Sequence, residues 1–146
     1  NVKISSTNTL EDAGVLTTLT QNINFSGDIS PSQITSNQND YSPTGLSTAS
    51  TLRINSDATR DITGLSGGAD GRIVMIHNTG SFAITLKNSS TSSIASNRFL
   101  FSADIPVATN SGVIIQYDST SSRWRLLGAV SSSSSSGSVL EVQVFS

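Results

Sequence analysis

The sequence contains no cysteine, a single histidine and a single tryptophan, and charged residues make up only 12% of its 146 positions. The lack of cysteine excludes disulfide bonds, thiolate metal sites and cysteine nucleophiles. A net charge of −2 provides no basic surface for nucleic acid or for anionic lipid. No apolar run approaches the length of a membrane span. We therefore expect one domain with its own core, no nucleic-acid partner and no membrane insertion.

The apolar residues follow the two-residue period of β-strands. From Thr51 onward they recur in short runs separated by turn residues, namely Leu52 and Ile54, Ile73–Ile76, Phe82–Leu86, Val113–Tyr117 and Trp124–Leu127. Glycine and asparagine between the runs favour tight reversals, so we predict hairpins at Leu65–Gly71, Asn78–Gly80 and Asp118–Arg123. The expected fold is all-β, a single antiparallel β-sandwich or barrel-like domain with an extended N-terminal arm.

The composition divides the chain into four parts. Residues 1–43 are polar and weakly periodic, and we interpret them as the arm, an attachment segment. Residues 44–130 form the β domain. Residues 131–137 are six serines and a glycine, which is typical of a flexible linker. Residues 138–146 alternate like a strand without a partner, so we expect them to dock on this domain, to pair with a neighbouring chain or to open a further domain.

Candidate catalytic and metal-binding residues are few and isolated. His77 has no second ligand type beside it in the sequence, and Ser66 does not lie in the spacing of a nucleophile elbow. The glycines between Gly64 and Gly71 are not followed by Lys-Ser/Thr or by a helix signal, so a turn is favoured over a phosphate loop. We predict no catalytic residues, no cofactor-binding residues and no metal site, and hence a protein that is not an enzyme.

Three aromatic residues are the only candidates for ligand contact. Tyr41, Tyr117 and Trp124 have the flat rings on which sugars stack, but in a chain with 5% aromatic residues such side chains also serve as core anchors. An exposed common face would favour a ligand or receptor contact. Arg98, Arg123 and Arg125 are better explained as partners of aspartates at strand ends.

A set of short motifs resembles a module that recurs in bacteriophage virion proteins, especially tail fibres and related surface proteins. The resemblance covers roughly residues 33–128 and rests on the order of these segments: Asn39-Asp40-Tyr41-Ser42-Pro43-Thr44-Gly45-Leu46, Ile62-Thr63-Gly64-Leu65, Gly68-Ala69-Asp70-Gly71-Arg72, His77-Asn78-Thr79-Gly80-Ser81, Ile84-Thr85-Leu86-Lys87-Asn88, Asn97-Arg98-Phe99, Tyr117-Asp118 and Arg123-Trp124-Arg125. A shorter segment, Val139–Phe145, is similar to the start of a glycine-rich distal domain of some phage fibres.

The resemblance implies a structural protein on the virion surface, on the capsid or the tail. Its expected partners are two further copies in a homotrimer and other virion proteins, and a host-surface glycan is the partner expected under the carbohydrate-binding alternative. It implies turns at Gly64, Gly71 and Gly80, loop caps at Asn78 and Asn97, and Trp124 as the anchor of the last strand. A tail fibre and a capsid-decorating (cement) protein both fit, and the alternative is a carbohydrate-binding module for host adhesion.

Overall fold

The computed structural model describes residues 24–25 and 27–128, and this part of the chain is all-β. The strands are β1 (Asp28–Ile29), β2 (Thr51–Ile54), β3 (Arg60–Ile62), β4 (Ile73–Asn78), β5 (Ile84–Leu86), β6 (Phe99–Leu100), β7 (Ile105–Val107), β8 (Ser111–Asp118) and β9 (Arg123–Gly128). Two 3₁₀ turns, Leu46–Thr48 and Ala95–Asn97, are the helical elements of the described residues, and no helix there could cross a membrane.

The strands form two sheets that mix parallel and antiparallel pairs. The larger sheet has the order β1-β2-β4-β8-β9-β6 and the smaller one the order β3-β5-β7. Four pairs are parallel, β1 with β2, β2 with β4, β3 with β5, and β6 with β9. The all-β prediction is confirmed, whereas the prediction of a purely antiparallel arrangement is wrong.

Parallel pairing arises because the chain winds through three successive coils, residues 28–50, 51–74 and 75–98. Paired residues of neighbouring coils lie 22 to 24 positions apart in sequence, as in Leu52 with Ile76 and Ile62 with Leu86. Tyr41 pairs with Leu65 at the same spacing. Each coil passes from the larger sheet to the smaller one and back, so equivalent strands stack in the same direction.

The third coil is closed by strands of opposite direction. β8 runs antiparallel along the whole of β4, and β7 runs antiparallel along β5. β9 then returns alongside β8, and the two-residue β6 pairs with it. β8 and β7 thereby pair the backbone N–H and C=O groups along the free edges of β4 and β5, which a fourth coil would otherwise have to pair.

The core consists of apolar ladders that run across the coils between the two sheets. In the larger sheet Leu52 pairs with Ile76, which pairs with Val113, and all three are buried. In the smaller sheet Ile62, Leu86 and Ile105 are aligned in the same way. A fully buried aliphatic side chain contributes about 1.5–3 kcal/mol, so these ladders are the main source of cohesion between coils.

Only one of the three predicted hairpins is present. β8 and β9 form the hairpin expected around Asp118–Arg123. The turns at Leu65–Gly71 and Asn78–Gly80 instead connect strands of different sheets, β3 to β4 and β4 to β5. Glycine and asparagine allow the reversal of direction, but they do not determine which strand the chain joins afterwards.

The β domain begins earlier than the predicted boundary at Thr44. Residues 28–43 form most of the first coil, and they place Ile34 and Tyr41 in the core. The rest of the predicted arm, residues 1–23 and 26, lies outside the described residues. The predicted linker, residues 131–137, and the predicted C-terminal strand, residues 138–146, also lie outside them.

Candidate functional site

The aromatic residues proposed for ligand contact lie in the core. Trp124 is 0% exposed, and its indole Nε1–H donates a hydrogen bond to the carbonyl oxygen of Leu65 at 2.7 Å. Tyr117 lies opposite Trp124 in the β8–β9 register, and the two rings meet edge to face with centroids 5.2 Å apart. The indole therefore anchors the last strand to the second coil, the role that the resemblance implied for Trp124.

The two tyrosines are also buried beneath the surface. The Tyr117 hydroxyl donates to the carbonyl oxygen of Ser96 at 2.9 Å, and the ring is 8% exposed. Tyr41 is 7% exposed, its backbone pairs with Leu65, and burial raises the pKa of its phenol. The structure thus brings the three residues close to Leu65 in the core, without an exposed aromatic face on which a sugar could stack.

The glycine-rich segment forms a turn closely packed against β8. A Cβ atom at Gly68 would lie 2.2 Å from the Tyr117 ring, so only glycine fits there. Gly71 has a φ of 77°, in the left-handed region that glycine adopts without strain. The segment leads directly into β4, so no helix N-terminus is available for a phosphate.

Arg72, which follows this turn, connects the first coil to the second. Its guanidinium donates to the carbonyl oxygens of Gly67 at 2.6 Å and Ala49 at 3.1 Å, and also to that of Leu46. Burial lowers the pKa of Arg72. Since Leu46 begins the first 3₁₀ turn and Ala49 follows it, the guanidinium satisfies carbonyl groups of one coil from a residue of the next.

A polar network joins the loops of all three coils beside the smaller sheet. The buried Ser93 hydroxyl lies 2.7 Å from the Thr63 hydroxyl and accepts a hydrogen bond from the Asp40 amide at 2.8 Å. The Asp40 carboxylate accepts bonds from the Ile94 amide and the Asn97 side chain, both at 2.9 Å. Ser93 contacts no general base here, so the network holds loops together.

Two predicted loop caps have the partners that such a role requires. The Asn78 amide group donates to the carbonyl oxygens of Phe82 and Val107, each at 2.8 Å, and its carbonyl accepts from the Gly80 amide. Asn97 reaches Asp40 across the coils. Among the predicted turns, Gly64 and Gly80 do not have the positive φ of Gly71. At Gly64 an added Cβ would lie 2.6 Å from the Ser93 hydroxyl, which explains a glycine there by close packing.

Three ion pairs join charged side chains of the described residues. Asp57 bonds to Arg60, Asp104 to Lys87 and Asp118 to Arg125, and in each carboxyl group these hydrogen bonds contribute to a lowered pKa. Among residues 24–25 and 27–128, no group of three His, Asp or Glu side chains is placed to hold a metal ion. His77 is exposed near the end of β4, beside an open polar pocket of about 290 Å³.

An apolar patch lies on the outer face of the larger sheet. Met75 pairs with Ile114, and both point away from the core because their neighbours Ile76 and Val113 point into it. Ile114 is 39% exposed, and Leu127, on the adjacent strand, is 56% exposed. We call Met75, Ile114 and Leu127 the outer apolar patch.

The first coil offers a second, different surface. A groove of about 410 Å³ lies beside β1, lined by Ile29, Pro31, Tyr41, Pro43 and neighbouring serine and threonine residues. We call it the first-coil groove. No charged side chain lines it, so an occupant would be held by apolar and hydrogen-bonding contacts.

Comparison with protein-family models, with curated proteins and with solved structures finds no match. The functional argument therefore depends on the geometry of this chain and on the resemblance described above.

Sequence reasoning did not identify the outer apolar patch, although the sequence contains a signal for it. Val113-Ile114-Ile115 and Leu126-Leu127 are consecutive apolar residues within strands, and consecutive positions point to opposite faces. A strand with one solvated face alternates apolar and polar residues, so such runs indicate that both faces of the sheet contact apolar surroundings.

Proposed function

We propose that this chain is a non-catalytic structural module of a bacteriophage surface protein, a trimeric fibre or a capsid-decorating (cement) protein that provides attachment and stabilisation. Its place would be the virion surface, in contact with other virion proteins. The resemblance to phage surface modules supplies the biological setting. The mechanism is adhesion and the transmission of load through folded β structure.

The observation that carries the proposal is the stacking of three coils in register. Between neighbouring coils the backbone hydrogen bonds of parallel strands run from coil to coil, and the apolar ladders follow the same direction. Proteins built in this way are held together mainly by contacts between neighbouring units. Such an arrangement suits a stalk or a spacer, because many equivalent bonds must break together before the coils separate.

Contacts between side chains and backbone add to this cohesion. Arg72 joins the second coil to the first, the Asp40–Ser93 contact joins the first to the third, and Trp124 joins the last strand to the second. All three connect residues far apart in sequence. A module under mechanical load benefits from such connections, since no coil can detach by breaking a single local contact.

The alternative, a carbohydrate-binding module, receives less support. Its candidate platform consists of Tyr41, Tyr117 and Trp124, and all three rings are buried. Glycan recognition by this chain would need a surface other than a platform of those three rings, of which Tyr41 lines the first-coil groove. Binding to a glycan array is the direct test of the alternative, and we expect none that depends on Trp124.

The proposal is tested by locating the chain in purified phage particles. Antibodies against the folded domain, applied to intact particles in electron microscopy, should label the outer surface, on the shell for a decorating protein or on the tail for a fibre. An antibody to an internal virion protein is the control. Particles that carry the chain only inside, or that lack it, would refute the proposal.

A further inference from the structure

Three of the four sheet edges are poorly suited to adding a strand from another molecule. In the larger sheet the edge strands β1 and β6 have two residues each. In the smaller sheet the edge strand β7 contains Pro106, which has no backbone N–H to donate. Short edge strands and prolines are the usual means by which proteins prevent edge-to-edge pairing. Contact between copies of this chain must therefore use a face more than an edge.

The outer apolar patch lies across β4, β8 and β9: Met75 pairs with Ile114, and Leu127 lies at the bulge of β9, next to the Gly128 that pairs with Ile114. On one side lie the exposed His77 and Gly112, which pair with each other. On the other side lie Gln116 and Arg125, which also pair, and the half-buried Ile73, which pairs with Gln116 from β4. An apolar centre surrounded by polar groups is the usual composition of a protein interface.

We propose that copies of this chain contact one another through the outer apolar patch, so that Met75, Ile114 and Leu127 of each copy pack against the same sheet face of its neighbours. This inference rests on the homotrimer of the proposed function and assigns a surface to it. It differs from that proposal because a trimer could also form through the first-coil groove or through the N-terminal residues.

A second copy fits the patch better than the C-terminal segment of the same chain. Eighteen residues follow Gly128, which pairs with Ile114 at the patch. At Ile114, β8 already has β4 and β9 on its two sides, so the segment could not pair there as a strand. Lying across the face as a single strand, it would leave its own backbone groups unpaired. A neighbouring sheet brings its backbone groups already paired.

The position of the chain exit and the small charge agree with this choice. Copies that meet at the patch would bring their C-terminal segments together, since each segment begins at Gly128. A net charge of −2 per chain opposes such association only weakly.

The test is the oligomeric state of the full chain with the patch made acidic. We compare the wild type with an Ile114→Glu, Leu127→Glu double variant by sedimentation velocity at micromolar concentration. The matched control is Ile94→Glu, because Ile94 is 59% exposed and lies outside the larger sheet. We expect a trimer for the wild type and the control, and assembly of the double variant only at roughly 100-fold higher concentration. Circular dichroism checks that the β fold is retained.

Cysteine cross-linking provides a second measurement that does not depend on acidic side chains. Because the chain has no cysteine, Ile114→Cys and Ile94→Cys each carry one thiol. A short bis-maleimide should join chains of the Ile114→Cys variant and leave those of Ile94→Cys separate. If the double acidic variant does not fold, this comparison decides the question.

The outcomes separate the two proposals. A trimer that persists in the folded double variant, without cross-linking of Ile114→Cys, overturns the patch as the interface and leaves the homotrimer standing. A wild type that sediments as a monomer overturns both the homotrimer and this inference. If in that monomer the thiol of Ile114→Cys reacts far more slowly than that of Ile94→Cys, the patch is covered by another part of the same chain.

Discussion

Replacing Trp124 with phenylalanine tests whether the indole anchors the last strand to the second coil. Phenylalanine keeps an aromatic ring opposite Tyr117 but cannot donate the hydrogen bond that the indole makes to the Leu65 carbonyl at 2.7 Å. The carbonyl would lie in the core without that partner. We therefore expect Trp124→Phe to destabilise the domain while leaving its β structure recognisable.

The magnitude follows from two effects at a site that is 0% exposed. Leaving a buried carbonyl without its donor costs about 1–3 kcal/mol. Removing part of a buried aromatic side chain costs a fraction of the roughly 3–5 kcal/mol measured when such a side chain becomes alanine. Together they predict a loss of about 2–4 kcal/mol for Trp124→Phe. For a domain of this size we expect a fall in Tm of roughly 10–20 °C.

The assay is thermal and urea unfolding followed by far-ultraviolet circular dichroism at one fixed protein concentration, because assembly makes Tm depend on concentration. Tyr117→Phe is the matched control, since it removes only the hydroxyl bond to Ser96 and should cost about 1 kcal/mol. If Trp124→Phe loses no more stability than Tyr117→Phe, the indole is not the anchor and the reasoning is refuted.

Three further predictions concern the contacts between coils. Gly68→Ala should cost about 1–3 kcal/mol, because its Cβ would lie 2.2 Å from the Tyr117 ring, and an unchanged urea midpoint would contradict this. Arg72→Lys keeps the charge, but the ammonium group of lysine cannot replace the planar guanidinium that reaches three carbonyl groups. Amide hydrogen exchange at the Leu46–Thr48 turn should therefore be faster in the variant than in the wild type, and equal protection would argue against the connection. The pKa of Asp118 is lowered by hydrogen bonds from Ser121 and then Arg125, so its stabilising effect is present above its ordinary value of 3.8 and lost as pH falls below it. Asp118→Asn should therefore show a smaller loss of Tm between pH 5 and pH 3 than the wild type, and identical losses would count against the pair.

The strand content and the last hairpin could be predicted from local sequence because both depend on neighbouring residues. The apolar run Val113–Tyr117 marks β8, and the polar loop after it is short enough to bring β9 alongside. Pairing within a hairpin requires no information from distant parts of the chain. The same reasoning fails at Asn78–Gly80, where the chain turns by a similar sequence but enters the other sheet.

The coil arrangement depends on residues 22 to 24 positions apart, a separation at which turn chemistry has no influence. A search for internal repeats could have indicated it, since Leu52 and Ile76, and likewise Ile62 and Leu86, are equivalent apolar positions at a constant spacing. The repeat is hard to recognise because some positions change type. Ile54, for example, aligns with the buried Asn78.

The candidate site could not be predicted from the sequence either, because residue type does not determine whether a side chain is buried. Aromatic residue type alone does not separate a sugar platform from a core anchor, and burial decided against the platform for Tyr41, Tyr117 and Trp124. For the outer apolar patch, the missing information is that apolar side chains are exposed. Ile114 and Leu127 look like ordinary core residues in the sequence, and only the register of β4, β8 and β9 shows that an apolar row lies on the exposed face.

The two candidate surfaces of the domain lie on different parts of the larger sheet, and this separation matters for the proposed function, in which the module would contact two kinds of neighbour. The first-coil groove lies beside β1, the edge strand, whereas the outer apolar patch lies on β4, β8 and β9, with β2 between them. The two surfaces share no residue. Copies assembled through the patch would thus leave the groove open to a protein of the particle. Acidic substitutions at Ile114 and Leu127 should then separate the copies from one another without changing the surface that a virion partner would contact.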